Sequence, residues 1–332
     1  MEKLRIRRPD DWHVHLRRGE VLRAVLPYTT QQFARALVMP NTDPPILTAD
    51  DVQRYRREIA APPGFLPLMT VKLTAQTTPT SISHAFEHGA IAAKLYPVGV
   101  TTNAEDGVVD EHDLYPVFAA MEQIGMVLCI HGERPNTYCL DRETAYLDVV
   151  SWLARTFPRL KIVLEHITCR DTVAFIQNAS ESVAATITVH HLVLTLDDVV
   201  GDRLRPHHFC NPMPKSPADR SALIHAATSG SPKFFLGTDS APHTREQKEY
   251  AAGAAGIFTA PVAMPLLATI FEEEGRLQWL APFTSEFGAD FYGLPKNEGQ
   301  LELVREPWTV PETLAGIVPF KAGELLSWRV DT

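Results

Sequence analysis

Short apolar runs alternate with longer amphipathic ones along most of this chain, and that alternation restricts its fold more than any other feature. Runs rich in β-branched and aliphatic residues occur at 4–15, 35–40, 66–73, 90–96, 126–131, 161–166, 182–189 and 233–238. Such short, almost uniformly apolar segments read as strands covered on both faces. Between them, residues 20–32, 48–60, 80–88, 111–124, 142–156, 169–178 and 216–229 have the spacing of helices with one apolar side. Thr48 ahead of Asp50 and Asp51, and Ser216 ahead of Asp219, are helix starts with acids in the first turn. Strands that alternate with helices in this way predict an α/β fold, the (β/α)8 barrel. A doubly wound open sheet is the alternative, but no G-x-G-x-x-G follows the first strand. Beyond about residue 255 the pattern becomes helical and then irregular, with short strands expected at 301–305 and 325–330. No repeat, low-complexity segment or linker interrupts the chain. The expectation is one domain over 1–332, a barrel over about 4–275 with a C-terminal appendage over about 276–332.

Charge and composition narrow the partners. With 31 basic and 40 acidic residues the net charge is -9, which argues against nucleic acid. A small anionic substrate stays open, because a few arginines and a metal can dominate one pocket. No apolar run approaches the ~20 residues of a membrane span. The basic N-terminal residues run into Pro9, Asp10 and Asp11 rather than an apolar stretch, so no secretory signal is read there. Cys129, Cys139, Cys169 and Cys210 form no C-x-x-C pair, and reduced thiols in a cytoplasmic protein are expected.

The chemistry is concentrated where the strands end. His13 and His15 close the first strand, two residues apart and therefore on one side of it. Alone, the pair reads as two hydrogen-bonded histidines. However, strand four contains Lys94, strand five ends in His131, strand six in His166 and strand eight in Asp239. Barrel enzymes place their chemistry at the C-terminal mouth, on residues from several strands. Six such residues at the same end point to a metal site, and imidazole with carboxylate suits zinc or a similar divalent ion. Lys94 lies inside the apolar run Ala92-Ala93-Lys94-Leu95-Tyr96-Pro97, where burial favours a neutral amine. It is a Schiff-base nucleophile, half of an ion pair, or an amine that captures CO2. Amid four histidines and an aspartate, the carbamate fits best. The remaining histidines have weaker claims. His84 and His88 read as solvated, His190 and His191 as packing groups ending strand seven, and one of His207 and His208 as a pocket neighbour; His112 and His225 have no functional case.

These runs resemble the dihydroorotases of the amidohydrolase superfamily, specifically the short, stand-alone bacterial type. The matching segments are 7–17, Val38-Met39-Pro40-Asn41, 92–97, His131-Gly132-Glu133, Glu165-His166-Ile167-Thr168, Arg205-Pro206-His207 and 236–243, extended by Phe291-Tyr292-Gly293-Leu294-Pro295 and Leu303-Val304-Arg305. They are ordered and cover nearly the whole chain. The resemblance implies a binuclear zinc site in which His13, His15 and Asp239 hold one ion and His131 and His166 the other. N6-carboxylated Lys94 would bridge the two, a bridging hydroxide would attack, and Asp239 would shuttle the proton.

The implied reaction interconverts N-carbamoyl-L-aspartate and L-dihydroorotate, a ring closure in pyrimidine biosynthesis. Arg17 offers a planar fork for the substrate carboxylate. The resemblance adds Asn41 and His243 to that anchor, places His15 and His131 beside the substrate, and puts backbone groups of Ala255, Cys210 and Asn211 on the ring amides. Relatives carry an apolar residue at the position of Asn211, so the pocket wall is expected to be more polar here. The polar, glycine-flanked segment 98–107 would be a lid whose Thr101 and Thr102 reach the substrate. The family also implies a homodimer. Hydantoinase- or allantoinase-like hydrolases are the nearest alternative, but they usually carry a β segment before H-x-H, and only twelve residues precede His13. A silent scaffold barrel would be expected to lack metal ligands, and all six positions are filled. A phosphotriesterase-like hydrolase fits the context of Asn41 and 240–243 poorly.

Overall fold

The computed structural model describes residues 2–331. Its strands are β1 (Lys3–Arg7), β2 (Asp10–Val14), β3 (Arg35–Val38), β4 (Leu66–Lys72), β5 (Ala90–Leu95), β6 (Val127–Ile130), β7 (Ile162–Leu164), β8 (Val183–Ile187), β9 (Phe234–Leu236), β10 (Gln300–Thr309) and β11 (Leu325–Val330). Strands β2 to β9 are parallel and adjacent in sequence order, each connection carrying a helix. The ends meet where Val14 pairs with Ser240, Asp239 N–H donates to the His13 carbonyl (2.8 Å) and His15 N–H to the Ser240 carbonyl (3.0 Å). The fold is a (β/α)8 barrel, as expected.

Helix starts follow local chemistry. Thr48 accepts from Asp51 N–H while Asp51 returns a bond to Thr48 N–H, and Ser216 and Asp219 do the same. The single strand expected over 4–15 is in fact two. Pro9 has no N–H to offer a ladder, and Arg8 N–H turns to the Gly299 carbonyl (2.7 Å). Thus β1 leaves the barrel and pairs antiparallel with β10, which pairs with β11.

Two apolar layers result. Inside the barrel, Trp12, Leu37, Leu68, Ala92, Val127, Cys129, Val163, Ala184 and Phe235 pack together. The helix Phe287–Tyr292 closes the bottom, its Tyr292 ring stacked on Trp12 at 4.3 Å. Gly288 permits this approach, because a Cβ there would lie 2.0 Å from Trp12 Nε1. Outside the barrel, a larger apolar layer joins the strands to the helices and to Leu303, Leu326 and Trp328 of the antiparallel sheet. The lumen is filled below, so only its C-terminal mouth is left for polar chemistry.

Candidate active site

Period-two alternation carries the lumen face upward along the strands. Ala92 is followed by Lys94, Cys129 by His131, Val163 by Glu165, and Phe235, two steps on, by Asp239. Strand β2 obeys a different rule. Its register with β3 shifts between Asp11 and Val14, so Trp12 fills the lumen while Val14 joins the outer layer and both flanking histidines face the mouth. His166 (φ 42°), Asp239 (φ 45°) and Arg17 (φ 59°) adopt left-handed backbone that L residues seldom hold, which fits a site whose side chains must be re-aimed at strand ends.

The six candidate ligands converge. His13 Nε2 lies 3.2 Å from His15 Nε2 and 3.3 Å from Asp239 Oδ1, and His15 Nε2 lies 3.0 Å from the same oxygen. The His166 ring sits between those of His13 (5.0 Å) and His131 (4.7 Å). Lys94 Nζ and His166 Nδ1 are buried with no hydrogen-bond partner among the described residues. Orphaned polar atoms in such a place cost free energy unless another group meets them. This donor set, of imidazoles, one carboxylate and an unpaired amine, fits divalent metal.

Two carboxylates from the matching segments, given no role there, stand behind these ligands. Glu165 Oε2 accepts from His13 Nδ1 (2.9 Å) and Thr186 Oγ1 (2.7 Å), and Glu133 Oε2 meets His131 Nε2 (2.8 Å). Such carboxylate–histidine pairs fix the ring tautomer and strengthen it as a ligand. The signal was present, since Glu165 continues the alternation from Val163 and Glu133 follows His131 by two.

Electrostatics separates the groups. Burial depresses Lys94, with Glu165 opposing it, so the amine loses its proton more easily than an exposed lysine. Its neighbour in register, Lys72, makes the contrast: Lys72 Nζ donates to the Asn103 carbonyl (2.7 Å) and to Asp106. Burial alone would raise the Asp239 carboxyl, but His13, the hydrogen bond from His15, and His166 hold it well below the usual range. Burial moves His15 down to about 4.

Above the ligands lies a small cavity lined by His15, Arg17, Asn41, Thr101, Thr102, Cys210, Asn211, Asp239, Ala241, Ala255 and Gly256. Every substrate-side residue expected from the sequence borders it except His131, which lies deeper, and His243. The latter stands behind Arg17, its Nε2 2.8 Å from Arg17 Nη2 and 3.0 Å from the Ala255 carbonyl. Burial pushes the His243 ring down to about 3, so it is neutral at pH 7. Arg17 Nε donates to the Pro242 carbonyl (2.9 Å), which orients the fork. Segment 98–107 is folded over the cavity: Asn41 Nδ2 donates to the Thr102 carbonyl (3.1 Å), Asn103 Nδ2 to the Asn41 carbonyl (2.9 Å) and Asn211 Nδ2 to the Val100 carbonyl (3.2 Å). The Asn211 side chain thus serves the loop.

The other histidines lie apart from this cavity. His190 and His191 lie in a short helix, Val189–Val193, rather than at a strand end. They could share a metal with Cys210, but His191 Nδ1 already meets Thr188 Oγ1 (2.9 Å) and its Nε2 the Pro212 carbonyl (3.0 Å). His207 pairs with Glu249, and His208 Nδ1 meets the Asp198 carbonyl (2.9 Å).

No protein-family model matches the chain. It is 46% identical to the dihydroorotase of Teredinibacter turnerae, with 99% of each chain covered. Among solved structures, the dihydroorotase of Saccharomyces cerevisiae in complex with 5-fluoroorotic acid superposes with a TM-score of 0.95 at 36% identity, covering 100% of this chain and 99% of that one. An L-hydantoinase from Arthrobacter aurescens (TM-score 0.85, 17% identity, 99% and 83% covered) shares the fold alone. A relative of such identity over the full length, together with ligands converging at the barrel mouth, places the chain in the dihydroorotase family: it is a metal-dependent cyclic amidohydrolase that interconverts N-carbamoyl-L-aspartate and L-dihydroorotate.

Proposed function

We propose that the site takes two zinc ions: His13, His15 and Asp239 would hold one, His131 and His166 the other, with N6-carboxylated Lys94 as a further ligand. The observation that carries this reading is the Lys94 amine, buried and unpartnered amid four histidines, where an ion pair would show a partner. When bound, such ions polarise the reacting carbonyl and bring the pKa of water from ~16 to ~7, which supplies a nucleophile at neutral pH.

The chain's own residues do the rest. Glu165 and Glu133 keep the His13 and His131 rings oriented. Asp239, ionised at neutral pH, takes the proton of the attacking oxygen nucleophile and hands it to the leaving amide nitrogen. Arg17 receives the substrate carboxylate with its guanidinium fork, joined by Asn41 and His243. Backbone groups of Ala255, Cys210 and Asn211 hold the ring amides, and Thr101 and Thr102 close over the substrate and exclude water. His15 and His131 border the reacting atoms. Four free cysteines support a place in the cytoplasm, and membership of the family supports a homodimer.

The test is turnover of L-dihydroorotate by purified protein, with zinc measured on the same sample. Ring opening with about two zinc ions per chain is expected. A filled site with no turnover would move the substrate to another cyclic amide; turnover with one ion per chain would end the two-ion reading.

A further inference from the structure

Lys72 ends β4 on the lumen face, two residues beyond Thr70 and in register with Lys94, yet its Nζ bonds to groups outside the candidate ligand set and it is not part of the cavity lining. Its side chain is 1% exposed. An ammonium group buried this completely must be compensated. Its partners both come from the segment after β5: Nζ donates to the Asn103 carbonyl (2.7 Å) and pairs with the Asp106 carboxylate, and the Tyr96 ring centroid lies 5.9 Å away.

We propose that Lys72 is a positioning residue for the reaction: it roots segment 98–107 at Asn103 and Asp106 so that Thr101 and Thr102 are presented to the cavity. This rests on the reading that those threonines meet substrate.

The attachments of the segment differ in kind. The root is charge-assisted, and such bonds are roughly twice as strong as neutral ones. The tip is held by the neutral amides of Asn41 and Asn211, at 3.1 and 3.2 Å. A segment bound this way opens at its tip while its base stays in place. Asn103 also has a left-handed backbone (φ 55°), a conformation that costs free energy and persists where its surroundings hold it. Lys72 grips the carbonyl of that residue, and Asn103 follows directly on Thr102. Loss of the ammonium frees the Asn103 carbonyl and leaves that residue held by its side-chain bond to the Asn41 carbonyl (2.9 Å), so the aim of Thr102 loosens with it. Nothing in this chain of contacts requires Lys72 to reach the substrate.

Lys72→Met keeps the length of the stem and removes the charge. Asp106, half exposed, returns to water, so no buried charge is stranded. Asp106→Asn weakens the same root from the surface and cannot empty the core. In the ligand-free metal-loaded enzyme, amides of 100–106 should exchange hydrogen about tenfold faster in both variants, with the barrel strands unchanged. Turnover by Lys72→Met should fall roughly 10- to 100-fold in kcat. The double variant with Thr102→Ala should be no slower than Thr102→Ala alone, because both changes remove one function.

Loop exchange as slow as in the parent overturns the rooting. Faster exchange with losses that multiply in the double variant shows Lys72 acting on the reaction by another route, and overturns the proposal equally. Unchanged kinetics in Thr102→Ala sinks the reading of the threonines, and the positioning role with it, whatever the exchange shows.

Discussion

At the residue scale the informative group is Lys94. A strand position two beyond Ala92 is ordinary for a lumen residue, but the amine there is buried without a hydrogen-bond partner among the described residues, and the charge of Glu165 only partly offsets that burial. Burial lowers its pKa, so the neutral fraction at a given pH exceeds that of an exposed lysine, and only the neutral amine reacts with CO2. Deprotonation increases as pH rises. After metal and CO2 are stripped, recovery of activity on adding zinc at constant dissolved CO2 should therefore be faster at pH 8 than at pH 6. Recovery in CO2-free buffer at the same rate would show that the lysine is not carboxylated. Lys72 shows why identity alone would not have chosen between the two: both are lysines at paired positions on neighbouring strands, and only their partners differ.

At the element scale the decisive join is between β2 and β9, first and last in the barrel. Here Asp11, fully buried, accepts from Thr238 N–H (2.8 Å), Thr238 Oγ1 (2.6 Å) and His13 N–H (3.1 Å). One carboxylate thus ties the strand bearing His13 and His15 to the segment bearing Asp239. Asp11→Ala would leave those donors buried without partners, at roughly 1–3 kcal/mol each. We expect a loss of several kcal/mol in urea unfolding together with weaker zinc retention. An unchanged midpoint would mean that the backbone bridge from Val14 to Ser240 suffices. The register shift in β2 belongs here too. Simple alternation would place Trp12 and His13 on opposite faces, and the bulge lets both turn inward, one as core and one as ligand.

At the scale of the whole molecule, the three-stranded sheet supports the scaffold and stands away from the site. Trp328 on β11 is buried beneath Arg305, whose guanidinium carbon lies 4.5 Å from the ring, and its Nε1 donates to Glu272 (3.3 Å) on the helix Ala263–Glu273. Trp328→Ala should cost roughly 3–5 kcal/mol of stability, as large core truncations do. KM and zinc per folded chain should stay at parental values; a raised KM would show that the sheet also shapes the mouth. The barrel and its six convergent residues were legible in the sequence because period-two and 3.6-residue patterns are local, and because a strand-end histidine or a lysine in an apolar run stands out against its neighbours. Most of the cavity-lining residues were named through resemblance, Ala241 and Gly256 excepted. What the chain order could not carry was long-range: the departure of β1 at Pro9 to join β10, Glu165 behind His13, Asp11 across the barrel join, and the pairing of Lys72 with Asp106. Each depends on which groups meet after the chain closes on itself. Sequence spacing specifies which face a side chain takes, whereas only tertiary packing decides what stands opposite it.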